Sequence, residues 1–87
     1  GAVSCYFEIE TLPDTLGRVT EMLEQDETIT QIYRVTGKNK LHVHAVAASS
    51  EEMEKLIREV IDPLPGVVSC DCNIILSRIK DLKGLRL

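Results

Sequence analysis

Aromatic side chains are almost missing from this sequence, which has one Phe, two Tyr and no Trp in 87 residues. A platform that stacks nucleic-acid bases needs exposed rings, so the composition argues against that class of function. Positive charge is also short: 10 Lys and Arg stand against 14 Asp and Glu, for a net charge of −4. A surface that docks on phosphate backbones carries the opposite balance. The basic residues that are present gather in 77–87, SRIKDLKGLRL, a short cluster of the kind that is ordinarily solvated surface. No apolar run approaches the ~20 residues of a membrane span, and no signal peptide opens the chain. Three cysteines are an odd number, unlike the even frameworks of small secreted domains, and point to a reducing cytoplasm. The chain opens on Gly1 and Ala2 rather than Met, as a cut fragment or an expression remnant does.

What is there is ordinary for one globular domain, with 44% hydrophobic and 28% charged residues. We expect a domain over 1–79 and a short tail over 80–87. In VSCYFEIE (3–10), Cys5, Phe7 and Ile9 alternate with Ser4, Tyr6, Glu8 and Glu10, the period of a strand with one apolar face. LPD then breaks the pattern, and Asp14 is the expected N-cap of a first helix, TLGRVTEMLEQ. There Leu16, Val19, Met22 and Leu23 make one stripe, and Gly17 suggests close packing against a sheet. TITQIYRVT (28–36) is rich in β-branched residues and predicts a second strand. GKNK (37–40) predicts a tight turn, with Gly37 and Asn39 tolerating positive φ, and LHVHAVA (41–47) a third strand.

A second helix has the clearest signals. Ser49 and Glu52 form a capping box, Met53, Leu56, Ile57, Val60 and Ile61 fall on one face, and DPLPG ends it. VVSCDCNIILSRI (67–79) is the expected last strand. The order β-α-β-β-α-β predicts an α+β ferredoxin-like sandwich, an antiparallel sheet of strand order 4-1-3-2 with both helices on one face. Apolar residues occur at both parities of the strands: Ile29 and Tyr33 against Ile32, Leu41 and Val43 against Val46, Ile74 and Leu76 against Ile75. We therefore expect the uncovered face to be half apolar and to pair with a second copy.

Cys70 and Cys72 share a spacing with His42 and His44, and the four residues together resemble a ligand set. Free cysteine packs as a small hydrophobe, however, and an antiparallel pairing sets Cys70 beside Glu10, about 13 Å from Cys5 by strand rise. That is too far for shared coordination through Zn–S bonds of ~2.3 Å. His42 and His44 face away from Leu41, Val43 and Ala45, toward an interface or solvent. The expectation is packing rather than ligation, with no metal. No Gly-rich phosphate loop, HExxH or GxSxG motif is present, so neither an enzyme nor a cofactor is expected.

The run IYRVTGKNKLHVHAVAASSEEMEKLI, followed by LPGVVSCDCNIIL, resembles the ligand-sensing half of leucine-responsive (Lrp/AsnC) transcription regulators. Val35-Thr36-Gly37, the turn 38–40 and Leu64-Pro65-Gly66-Val67 carry the resemblance, closely over 28–87 and loosely before that. It implies a dimer through facing sheets, often assembled into larger even-numbered rings. It also implies a small-molecule effector, usually an amino acid, bound between dimers near the Gly-containing turn and the start of the last strand. Here that is Thr36, Gly37, Lys38, Asn39 and Lys40 with Cys70 and Cys72. DNA contact would need an N-terminal helix-turn-helix outside these residues.

Lys40 stands where many members have an acidic residue, and Cys70 and Cys72 where they have hydroxyls. A carboxylate in the turn would hold an effector's ammonium, whereas lysine reverses that logic. Lys40 then implies an acidic ligand, a site for the carboxylate end of an amino acid, or lost sensing; a solvated hairpin tip is the plain alternative. LPDTLGRVTEMLEQ also looks like the opening of an ACT domain, the regulatory module of amino-acid metabolic enzymes, although Asp14 occupies the place of that family's glycine. A ligand-free dimerisation module is the third reading.

Overall fold

The computed structural model describes residues 1–81. Its elements are β1 (Val3–Thr11), α1 (Leu16–Glu24), β2 (Ile29–Val35), β3 (Lys40–Ala47), α2 (Ser50–Leu56) and β4 (Val67–Ile74). The sheet is antiparallel in the order β2-β3-β1-β4, the expected 4-1-3-2 seen from the other edge. This is the ferredoxin-like α+β fold. Of the tail expected over 80–87, residues 82–87 lie outside the described residues.

The alternation of β1 places Cys5, Phe7, Ile9 and Thr11 in the interior. Leu41, Val43, Ala45 and Ala47 of β3 join them on the same face. Val19 and Leu23 of α1 and Met53 and Leu56 of α2 close over that layer, with Ile61 and Leu64 after them. At ~25 cal/mol per Å² of apolar surface removed from water, this layer is the main source of stability in so small a domain.

α2 is capped as its sequence demands. Ser49 Oγ accepts from the Glu52 N–H at 3.2 Å, and Glu52 Oε2 accepts from the Ala48 N–H at 3.1 Å. The helix does not run regularly to Ile61, however. It widens after Leu56 into a π-helical segment, Ile57–Ile61, with the Asp62 N–H donating to the Ile57 carbonyl at 2.8 Å.

The first helix corrects two expectations. Its N-cap is Thr15, not Asp14, because Leu12 to Thr15 already form a turn, with the Thr15 N–H and Oγ1 both donating to the Leu12 carbonyl. Asp14 lies one residue too early and is exposed. Gly17 packs against nothing: a Cβ added there would meet no atom within 4 Å. Gly17→Ala should therefore stabilise the domain by about 0.5–1 kcal/mol, since Ala restricts the unfolded chain and propagates helix better. Thermal unfolding should show a Tm raised by about 2–8 °C; an unchanged or lower Tm would mean that Gly17 has a packing role the contacts do not reveal.

The expected placement of the isoleucines of β2 is also corrected. A register shift between Ile29 and Gln31 puts Ile29 beside Ala45 and Ile32 beside Val43, so both pack against the core on the helix side. The uncovered face instead carries Tyr6, Glu8, Tyr33, His42 and His44, with Val35 and Val46 as exposed aliphatics. The last strand ends at Ile74 rather than 79. The Ile75 N–H still donates to the Ser4 carbonyl, and beyond it Leu76 and Ile79 are 94% and 97% exposed.

Candidate functional site

Three connections meet at one end of the sheet. The Thr11 N–H donates to the Asn39 carbonyl of the β2–β3 turn at 3.0 Å, and the Leu12 N–H to the Gly66 carbonyl before β4 at 2.8 Å. In the turn, Gly37 has φ +120° and Asn39 φ 53°, the left-handed backbone their residue types accommodate. The missing side chain at Gly37 leaves room for the Lys40 stem, since an added Cβ would lie 2.9 Å from Lys40 Cδ.

Lys40 is opposite Glu10 across β3 and β1, and Glu10 is opposite Ser69 across β1 and β4. These three line an open recess of ≈ 240 Å³ together with Glu8, Ile9 and Asp71. None of Lys40, Glu10 and Asp71 is ion-paired among the described residues. The recess thus offers one ammonium and several carboxylates to a ligand.

Of the residues singled out in the sequence, only Lys40 lines this recess. Thr36, Gly37 and Lys38 form the exposed turn beside it, and Asn39 is half-buried. Cys70 and Cys72 lie on the other face of β4, in register with Ile9 and Phe7. Glu10, Ser69 and Asp71 escape a sequence reading because their proximity to Lys40 depends on two strand registers. Their shared parity is the one signal they carry.

The cysteines and histidines sit on opposite faces and cannot form one four-residue site. Cys70 is opposite Ile9, one position from the expected Glu10, and so lies four residues along β1 from Cys5. Cys72, however, comes within 3.1 Å of Cys5, sulfur to sulfur, a neighbour missed by considering Cys70 alone. Burial first, then the hydrogen bond shared with Cys72, pushes the Cys5 thiol up to about 12. Cys70, although exposed, is also pushed up, by partial desolvation first and then by Cys72 and Asp71. Thiols held protonated are poor nucleophiles.

On the open face, His42 Nδ1 pairs with Glu8 Oε1, and His42 Nε2 lies 2.7 Å from His44 Nε2. Burial, then the neighbouring His42, holds His44 below the usual imidazole range. The rings of Tyr6 and Tyr33 flank the pair, 5.1 and 6.3 Å from the His42 ring.

Residues 4–85 match the model of the Lrp/AsnC ligand binding domain. The chain belongs to this family. The family is a ligand-binding domain of oligomeric transcription regulators and is not enzymatic, so the ACT reading of the first strand and helix gives way. A comparison with curated proteins found no match.

Among solved structures, E. coli AsnC is similar with a TM-score of 0.81 at 17% identity, over 92% of this chain and 54% of that one. The chain therefore spans about half the length of AsnC. The transcriptional regulator NMB0573 of Neisseria meningitidis, in a complex with L-Met, has a TM-score of 0.81 at 12% identity, over 97% of this chain and 56% of that one. A Thermus thermophilus protein, TTHA0845, has a TM-score of 0.80 at 16% identity, and there the match covers 91% of this chain and 99% of the other. At these identities the likeness is one of fold. No helix among the described residues is long and apolar enough to cross a membrane.

Proposed function

We propose that this chain is the effector-binding and oligomerisation domain of a cytoplasmic Lrp/AsnC-type regulator, non-catalytic in itself, and that its effector is an amino acid or a related small zwitterion. The observation that carries this reading is the recess beside the 36–40 turn, which Lys40 lines together with Glu10 and Asp71. An α-amino acid presents the complementary pair of charges, its carboxylate for Lys40 and its ammonium for Glu10 or Asp71, through charge-assisted hydrogen bonds. Of the three consequences drawn from Lys40, receipt of the carboxylate end fits these neighbours best. The L-Met complex of the Neisseria regulator supports the ligand class.

In this reading Thr36, Gly37, Lys38 and Asn39 form the rim, and Cys70 and Cys72 present the other side of β4 to a neighbouring dimer. Residues 1–79 form the domain and 80–87 its tail. The uncovered sheet face makes a homodimer, with the effector recess at the turn end of that face, and dimers join into a larger even-numbered assembly. DNA contact belongs to a helix-turn-helix outside these residues.

Native mass spectrometry of the purified chain, alone and with a mixture of the common amino acids, tests both halves of the proposal. The expected result is an even-numbered assembly that gains amino-acid mass. Calorimetry with the retained amino acid should then show affinity about 10- to 100-fold weaker in Lys40→Ala, the effect of losing one hydrogen bond to a charged group. An assembly without adduct leaves only a dimerisation module, and unchanged affinity in the variant removes Lys40 from the site.

A further inference from the structure

The His42 and His44 pair on the open face plays no part in the effector reading. The two rings project from the same side of β3, two residues apart, and bring their Nε2 atoms to 2.7 Å. Glu8, opposite His42 on β1, accepts the proton of His42 Nδ1. That bond fixes the tautomer of His42 and leaves its Nε2 lone pair pointing at His44. The two Nε2 atoms then share a single proton.

We propose that His42 and His44 chelate a divalent transition-metal ion of the imidazole-preferring class, such as Zn2+ or Ni2+, in place of that proton. Metal–nitrogen bonds of ~2.0–2.1 Å set two ligands on one ion about 3 Å apart, so the rings need to separate by only a few tenths of an ångström. Imidazole nitrogens suit these ions better than they suit Mg2+ or Ca2+. A carboxylate on the far nitrogen of a ligating histidine orients the ring and raises its basicity, and Glu8 is placed to do this for His42.

No third His, Cys, Asp or Glu converges on the pair among the described residues, and Cys70 and Cys72 are on the opposite face. The remaining coordination positions are therefore filled from outside the chain, by water or by the same pair from a second copy. Stoichiometry distinguishes the two sources. One ion per chain means water, and one ion per two chains means a site shared across the open face.

The purified chain, stripped with a chelator, would be titrated calorimetrically with Ni2+ and with Zn2+, and its Co2+ complex examined by absorption. Binding at either stoichiometry is expected. His42→Gln and His44→Gln, both half-exposed positions checked for folding by circular dichroism, should each weaken it at least ~10-fold, and Glu8→Gln by ~10–100-fold. The Co2+ spectrum should show ligand-field bands without thiolate charge transfer. Absence of binding up to ~1 mM ion would overturn the proposal. So would affinity unchanged from the unmodified chain in both histidine variants, or a thiolate band that disappears in Cys70→Ser/Cys72→Ser. The cobalt spectrum of the unmodified chain decides the donor type even where a variant folds poorly. Failure of amino-acid binding would leave this proposal intact.

Discussion

Phe7→Ala should destabilise the domain by about 3–5 kcal/mol, the range for removing a large aromatic from a packed interior. Phe7 is 0% exposed and sits at the centre of β1, between Val43 of β3 and Cys72 of β4. It is the single Phe in the chain, and Tyr6 and Tyr33 lie on the opposite face of the sheet, so no large ring can relax into the space. An 87-residue domain has a total stability of roughly 4–13 kcal/mol, which makes this loss a large part of the whole. Phe7→Leu keeps most of the volume and should cost less than about 1.5 kcal/mol. Urea unfolding of the two variants checks the contrast. A Phe7→Ala midpoint close to that of Phe7→Leu would show that the interior is centred elsewhere.

Gly66→Ala should cost about 2–5 kcal/mol although the residue is only half-buried. Two effects add. Gly66 has φ +65°, a conformation that costs an L side chain roughly 1–2 kcal/mol. An added Cβ would also lie 2.3 Å from Thr15 Oγ1 and 2.9 Å from Thr15 Cβ, so the loops must part, at about 1–3 kcal/mol. The second effect is separable. In a Thr15→Gly background the overlap is gone, and Gly is tolerated at an N-cap, so only the backbone strain remains. A double-mutant cycle should therefore show coupling of about 1–3 kcal/mol between positions 15 and 66. Additive costs would place the whole effect in the backbone conformation. This contact accounts for the glycine in Leu64-Pro65-Gly66-Val67: it lets the start of β4 lie against the cap of α1, which closes the turn end of the sheet beside the proposed effector recess.

The Lrp/AsnC family membership and the element order were legible because each rests on local signals. Alternation marks β1, the Ser49–Glu52 box marks α2, and Gly37 and Asn39 mark the turn, each within a few residues of chain. The candidate site was legible only in part. Lys40 was found through the turn it ends, whereas Glu10, Ser69 and Asp71 were not, since the β1–β3 and β1–β4 registers alone bring them beside it. The Asp14 cap failed by one residue because a turn that Leu12 accepts competes for the same backbone.

The sequence by itself determined which residues alternate, where helices start and stop, and hence the order β-α-β-β-α-β. Only the tertiary structure decided which side chains meet. Period-two alternation assigns a residue to a face but leaves the sliding of one strand against the next unspecified, and a single bulge inverts the assignment. The bulge near Gln31 moved Ile29 and Ile32 to one side and left the open face to tyrosine, histidine and carboxylate. The β1–β4 register set Cys72 rather than Cys70 beside Cys5, and the β1–β3 register set Glu8 against His42 and Glu10 against Lys40. Those pairings come from the requirement that every inward face of the sheet be buried at once, a condition met by the whole fold and by no segment of it alone.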